Sequence, residues 1–186
     1  MRSLPKLILS SLLAVALLAP GAAHAEELVS FKDAAKRMLV GAAKASKLDV
    51  TPTEEEKGKI KALGVDADAT YSFLIGKDAS GASVSAGIVV DQAGKEGPMR
   101  IAVALDPASG KVREAFIMRF EEERGKPVKE VAFLKQFNGK GAADAIQAGK
   151  DIDIVSGATS SSKAVATAVK RAVAGYKVLV LDRAGK

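Results

Sequence analysis

Four short apolar segments in the middle of the chain constrain its fold more than any other feature. They are rich in β-branched and aromatic residues and are separated by turns of Gly, Pro, Asp and Ser. We predict strands at 71–75, 84–90, 100–105 and 112–120. Because strands joined by short turns pair with their neighbours, this spacing predicts an antiparallel meander.

Helix signals on both sides of these strands predict an α+β fold, with an antiparallel sheet of about four to five strands and helices packed around it. Ser30 and Thr53 begin capping patterns, which predict helices over 34–45 and from 54 to a stop at Gly64. The remaining predictions are a short helix at 130–137, a helical turn at 142–148, an extended segment at 152–155, a helix at 159–172 and a last strand at 176–181.

The first residues are typical of an export signal. Arg2 and Lys6 precede an apolar stretch over 7–19, and Ala23-His24-Ala25 is a small-x-small cleavage site. The apolar stretch is shorter than the roughly 20 residues of a transmembrane helix, and an uncleaved anchor is the alternative. We expect cleavage after Ala25, a periplasmic or otherwise exported protein, and no stable membrane insertion after cleavage.

This cleavage would divide the chain into three parts. Residues 1–25 would be the signal peptide, 26–68 an N-terminal helical segment and 69–186 the main domain. A domain of that size can build its own hydrophobic core, so the absence of cysteine is compatible with a stable exported fold.

The composition excludes several kinds of chemistry. The chain has no cysteine or tryptophan, and its one histidine, His24, lies in the predicted signal. The exported part therefore lacks residues for a Ser-His-Asp triad, a cysteine nucleophile, a Cys-ligated cluster or a His-based zinc site. The net charge is +6, but the basic residues are interspersed with acidic ones. Nucleic-acid binding is not indicated, because the basic residues do not cluster with aromatic residues.

The segment 153–159 reads Asp-Ile-Val-Ser-Gly-Ala-Thr and leads directly into the helix predicted at 159–172. A helix N-terminus carries unpaired N–H groups and the positive end of the helix dipole, so it attracts phosphates. Gly157 permits an unusual φ, and hydroxyls of Thr159 and Ser160 crowd the entry. The alternative is a Ser/Thr helix cap without a ligand.

The motif resembles the flavinylation motif of the FMN-binding domain family. Weaker similarities precede it in the same order: Gly97-Pro98-Met99, Glu122-x-x-Gly125 and the segment 133–140. Arg124 stands where that family often has proline. The resemblance covers about 71–176, and it makes 69–186 the FMN-binding domain.

The resemblance implies a covalent cofactor. In that family a flavin transferase moves FMN from FAD onto the last threonine of the motif as a phosphoester. The acceptor here would be Thr159, with recognition residues Asp153, Ser156, Gly157 and Ala158. Ser160 and Lys163 would lie close to the phosphate, although Lys163 is equally well interpreted as a solvated surface lysine. By resemblance alone, three residues would lie beside the flavin ring: Gly97, Pro98 and Glu122.

These observations leave several functions open. The first is an exported electron carrier with FMN on Thr159, which would need a flavin transferase for maturation and unidentified redox donor and acceptor proteins. The second is a module that binds FMN or another phosphorylated ligand without a covalent bond. The third is a flavin-dependent reductase of a small acceptor, in which Glu122 or Lys163 would serve as acid or base. An electron carrier is favoured over a stand-alone enzyme, and a purely structural exported domain is the last alternative.

Overall fold

The computed structural model describes residues 26–121 and 126–185, so the predicted signal peptide lies outside the described residues. Six strands form one antiparallel sheet in the order β1-β6-β5-β4-β3-β2. They are β1 (Glu26–Glu27), β2 (Lys44–Val50), β3 (Tyr71–Lys77), β4 (Ser83–Ala93), β5 (Pro98–Leu105) and β6 (Val112–Phe120). The helices are α1 (Phe31–Met38), α2 (Glu54–Ala62), α3 (Val131–Lys135), α4 (Thr159–Tyr176) and the short α5 (Asp182–Ala184).

The predicted α+β class and the four-strand meander are confirmed. The predicted strands correspond to β3, β4, β5 and β6, and β6 has the predicted bounds at both ends. β4 and β5 are longer than predicted because their pairing continues through Ala93 and Pro98, up to the turn that joins them.

The larger core lies between α4 and one face of the sheet. In β5, Ile101, Val103 and Leu105 point to this face and are fully buried, as are Val165 and Val169 of α4. Alternation along a strand sends neighbouring side chains to opposite faces, so the residues between them form a second core. The first core fixes the position of α4 and therefore of its N-terminus.

Helix α1 covers the opposite face of the sheet. Its buried residues, Ala34 and Met38, pack against Ala102 and Ala104 of β5. A Cβ atom on Gly87 of β4 would lie 2.7 Å from the Met38 sulfur, so only glycine allows this close approach. Because both faces are covered, β5 is an almost continuous apolar strand.

The N-terminal segment 26–68 contains strands as well as the predicted helices. Ser30 and Thr53 are the N-caps of α1 and α2, as predicted. The helix predicted over 34–45 is wrong beyond Met38: Gly41, with φ of +84°, redirects the chain, and Lys44–Val50 pairs with β3 as an edge strand. Pairing with β3 satisfies backbone groups that a longer helix would have bonded internally.

The strand predicted at 176–181 is wrong. The polypeptide continues from α4 into a π-helical segment, Lys177–Leu181, in which Val178 and Leu179 are buried. The hydroxyl of Tyr176 donates to the Pro107 carbonyl at 3.1 Å, which anchors the end of α4 at the β5–β6 turn. Short apolar runs do not distinguish strand from buried helix, and no helix-stopping residue stands between Tyr176 and Leu181.

The helical turn predicted at 142–148 is also wrong. The carboxylate of Asp151 accepts the N–H groups of Ile146, at 3.0 Å, and Gln147, at 2.7 Å. These bonds hold the segment as an open loop that is closed by a bridge between Ala148 and Ile152. The short helix predicted at 130–137 is present but limited to α3.

Within the ranges 26–121 and 126–185, no helix has the length and apolar character needed to cross a bilayer.

Candidate functional site

A tight turn introduces α4. The N–H of Ala158 donates to the Val155 carbonyl at 3.0 Å, and Gly157, third in the turn, has φ of +75°. This positive φ at the third position is the pattern of a type II turn, which favours glycine. Among the described residues, no atom lies within 4 Å of a Cβ placed on Gly157, so glycine is required there by its backbone angle and not by crowding.

The N-cap of α4 is Ala158, and no side chain caps the helix from that position. The interpretation of the Ser/Thr run as a simple cap is therefore wrong. Ser162 instead bonds backward: its hydroxyl donates to the Ala158 carbonyl at 2.9 Å and accepts the N–H of Val155 at 3.2 Å. Ser162 is fully buried, so it stabilises the turn from the protein interior and leaves the solvent side of the helix N-terminus unobstructed by its own side chain.

Thr159 is the first residue of α4, and its side chain is exposed. Within the described ranges, neither its hydroxyl nor the N–H groups of Thr159 and Ser160 have a hydrogen-bond partner. A helix N-terminus with unbonded N–H groups can bind an anion from solvent. The exposed hydroxyl of Thr159 lies where such an anion would bind, so covalent attachment there is sterically possible.

Asp153 lies at the start of the motif, on the surface. Its N–H donates to the side-chain oxygen of Gln136 at 2.7 Å, which ties the extended lead-in to the segment after α3. In the part of the chain that the structure describes, the Asp153 carboxylate forms no ion pair. It is therefore accessible to a partner protein.

Lys163 follows Thr159 by one turn of α4. It is exposed and lines a groove that also contains Lys150 and the buried Lys170. The described residues provide no ion-pair partner for Lys163, so its ammonium group is available to an anion bound beside the helix.

Gly97 lies in the β4–β5 turn and Pro98 begins β5; in this turn the Gly94 N–H donates to the Gly97 carbonyl at 2.9 Å. A Cβ on Gly97 would lie 2.7 Å from the Cβ of Glu121, so this glycine allows the turn to pack against the end of β6. β5 and α4 are in contact, which places Pro98 and Thr159 on neighbouring elements. Glu122 and the glycine that follows it at 125 lie outside the described residues.

Sequence reasoning missed three residues that shape this region. Ser162 and Gln136 support the motif through side-chain bonds, and Lys170 places a buried cation further along α4, against the loop at 142–144. Burial lowers the pKa of Lys170 relative to an ordinary lysine, although the carboxylates of Asp144 and Asp151 oppose this effect. Of the three, only Ser162 could be found from the sequence. A serine in a helix can bond to the carbonyl four residues before it, and Ser162 stands four residues after Ala158.

Comparisons with known proteins concern the sequence family and the fold. Residues 94–174 match the sequence model of the FMN-binding domain. The crystal structure of NqrC from Shewanella oneidensis is similar, with a TM-score of 0.50 and 18% identity over 74% of this chain and 70% of that chain. At this identity the likeness concerns the fold. A comparison with curated proteins gave no match. Residues 94–174, which contain the turn, the motif and most of α4, are therefore similar to the FMN-binding domain family.

Proposed function

We propose that the protein is an exported electron carrier that holds FMN covalently, through a phosphoester on the hydroxyl of Thr159. One observation carries this proposal: in a segment that matches the FMN-binding domain, Thr159 is exposed at a helix N-terminus whose N-cap residue, Ala158, provides no capping side chain. The unbonded N–H groups of Thr159 and Ser160 would donate to phosphate oxygens, and the helix dipole would favour the negative charge.

The residues around Thr159 fit the group without rearrangement. Open space beside Gly157 allows a bulky ligand to approach the backbone, and Ser162 holds the turn from the buried side. Lys163 would supply a positive charge within one helical turn. Bound FMN would provide redox chemistry that a chain without cysteine, and with its sole histidine in the predicted signal, lacks.

Attachment needs a flavin transferase and FAD. The Thr159 oxygen would form a bond to the phosphorus of the FMN half, the phosphoanhydride bond to AMP would break, AMP would leave, and the threonine proton would pass to a base or solvent. The accessible Asp153 carboxylate and the open turn are suitable for recognition by the transferase.

Intact mass of protein co-produced with a flavin transferase tests the attachment. The mass should rise by one FMN less one water, and a proteolytic peptide spanning 151–163 should carry the addition. Thr159→Val should abolish it, whereas the control Ser160→Ala should retain it. An addition that persists in Thr159→Val overturns the assignment, and flavin that is released on denaturation supports a non-covalent module.

Export and electron transfer have separate tests. Fractionation of producing cells should yield protein that begins at Glu26 outside the cytoplasm. The flavin of this protein should be reduced and reoxidised reversibly without turnover of a small acceptor. Steady turnover of a small molecule would favour the reductase alternative, and Lys163→Gln would then test whether that lysine is the acid or base.

A further inference from the structure

A groove of about 580 Å³ runs beside α4 and begins one helical turn after Thr159, at Lys163. Its walls are the end of α2 with the residues after it, the loop 145–150, and the face of α4 that carries Lys163, Ala166 and Lys170. Thr159 does not line it. The volume lies within the roughly 300–1,000 Å³ of sites that bind small molecules.

The groove is strongly cationic. Lys150, Lys163 and Lys170 line it, and none of its lining residues is acidic. Lys150 and Lys163 are exposed and have no ion-pair partner in the described ranges. The C-terminus of α2 also faces the groove, but a helix end contributes only about half a negative charge, which the lysines outweigh.

Lys170 forms the floor of the groove. Its side chain is 5% exposed, and its ammonium donates to the carbonyls of Ala142, at 2.9 Å, and Asp144, at 2.5 Å. An ammonium has three donors, and no carboxylate is among the partners of this one. Buried charges are normally paired, so this cation lacks the partner that its burial calls for.

The nearby carboxylates are engaged elsewhere. Asp151 accepts the N–H groups of Ile146 and Gln147 and pairs with Lys140 at 3.0 Å. Asp144 accepts the N–H of Gly141 at 2.7 Å. Asp144 and Asp151 attract the Lys170 ammonium, but neither carboxylate is hydrogen-bonded to it within the described residues.

The loop that lines the groove is held in a strained shape. Ile146 has φ of +46° and is the one non-glycine residue with positive φ in 26–121 and 126–185. A β-branched residue in this conformation is a marked outlier, and such strain persists where the surrounding structure imposes it. The bonds from the N–H groups of Ile146 and Gln147 to the Asp151 carboxylate hold this conformation.

We propose that this groove binds a small organic polyanion, a phosphate ester or polycarboxylate, whose acidic oxygens contact Lys150, Lys163 and Lys170 while its carbon skeleton lies against Leu63, Val65 and Ile146. The site is separate from the flavin position on Thr159 and does not depend on flavin attachment. It would allow a charged metabolite to bind beside an electron carrier.

Calorimetric titration of the Thr159→Val protein with inorganic pyrophosphate and with citrate tests the proposal without flavin. Both probes should bind at millimolar concentrations or below, and more weakly at high salt. The preference between them shows which acidic group is recognised. Lys150→Gln/Lys163→Gln should weaken binding at least about tenfold.

The matched control is Lys32→Gln/Lys135→Gln, which removes the same charge from exposed positions that do not line the groove. It should leave binding unchanged, and equal losses in both double variants would overturn the site. The site would also be overturned if neither pyrophosphate nor citrate binds. Thermal melts confirm that each variant is folded. Flavinylated wild type should still bind both probes, although more weakly than Thr159→Val because Lys163 also faces the proposed FMN phosphate. Complete loss of binding on flavinylation would overturn the proposal, because the flavin itself would then occupy the groove.

Discussion

The buried hydroxyl of Ser162 accepts the backbone N–H of Val155 at 3.2 Å, across the turn that precedes α4. The same hydroxyl donates to the carbonyl of Ala158. One side chain therefore joins both ends of the turn to the helix that follows it. This arrangement sets the position of the Thr159 hydroxyl.

Replacement of Ser162 by Ala should destabilise the protein by about 1–2 kcal/mol, because the Val155 N–H would remain buried without an acceptor. It should also slow flavin attachment at Thr159 by loosening the turn. Urea unfolding and the rate of mass increase with a flavin transferase measure the two effects. Ser160→Ala removes an exposed hydroxyl and should change stability by less than about 0.5 kcal/mol. Equal unfolding midpoints for the two variants would contradict the role of Ser162.

Gly157→Ala should cost about 1–2 kcal/mol, because alanine disfavours the positive φ of this turn. No atom lies near the added methyl group, so strain of the backbone is the sole cause. Gly58 provides the contrast: it lies exposed in α2 with open space around it. Gly58→Ala should stabilise the protein by about 1 kcal/mol, since glycine is a poor helix former. The prediction is wrong if both changes move the thermal midpoint in the same direction.

Asp151→Asn should destabilise the protein by about 2 kcal/mol, since it weakens two charge-assisted bonds and a partly buried ion pair with Lys140. The loop over 146–151 should become accessible to hydrogen exchange. Asp66→Asn is the control, because Asp66 is exposed and 3.8 Å from Lys61, and it should have almost no effect. Unchanged exchange in the Asp151 variant would show that the loop has another support.

The carboxylate of Glu56 should make stability depend on acid pH. Bonds from Arg183 and from the N–H of Thr53 lower its pKa from 4.5 to about 2. A carboxylate with a lowered folded pKa stabilises the fold fully above its unfolded value and loses this contribution as the pH falls toward 2. Wild type should therefore exceed Glu56→Gln in urea resistance at neutral pH, and the difference should disappear in acid.

The control for this titration is Glu54→Gln. The Glu54 side chain is 89% exposed and pairs with Lys57 on the same helix. Its replacement should give a small difference from wild type that varies little with pH. A similar pH profile for both variants would show that the Arg183 bond does not control the titration.

The central strands and the helix start could be predicted because their signals are local. Glycine and proline mark the turns, and the small residues of Ser156-Gly157-Ala158 require the bend that precedes α4. β2 could not be predicted in this way, because the exposed edge strand at 44–50 takes its conformation from pairing with β3. Its polar sequence lacks the alternation that marks a half-buried strand.

The supports of the candidate site are non-local, and sequence alone does not reveal them. Gln136 reaches the N–H of Asp153 across 17 positions, and Lys170 bonds carbonyls 26 and 28 residues away. In sequence, Lys170 resembles any other basic residue of an amphipathic helix. Its burial follows from the packing of α4 against the loop 142–150, in which the sequence instead predicts a helical turn at 142–148.

The path of the first 25 described residues determines where this domain can be cut for fusion to another protein. The chain passes from β1 at one edge of the sheet, through α1 on the back face, to β2 at the opposite edge. A fragment cut to the matched region, 94–174, would lose this segment together with β3 and β4. The face of β5 that packs against α1 and the edge of β5 that pairs with β4 would then be exposed to water. Fusion proteins that borrow the flavin module should therefore begin at Glu26.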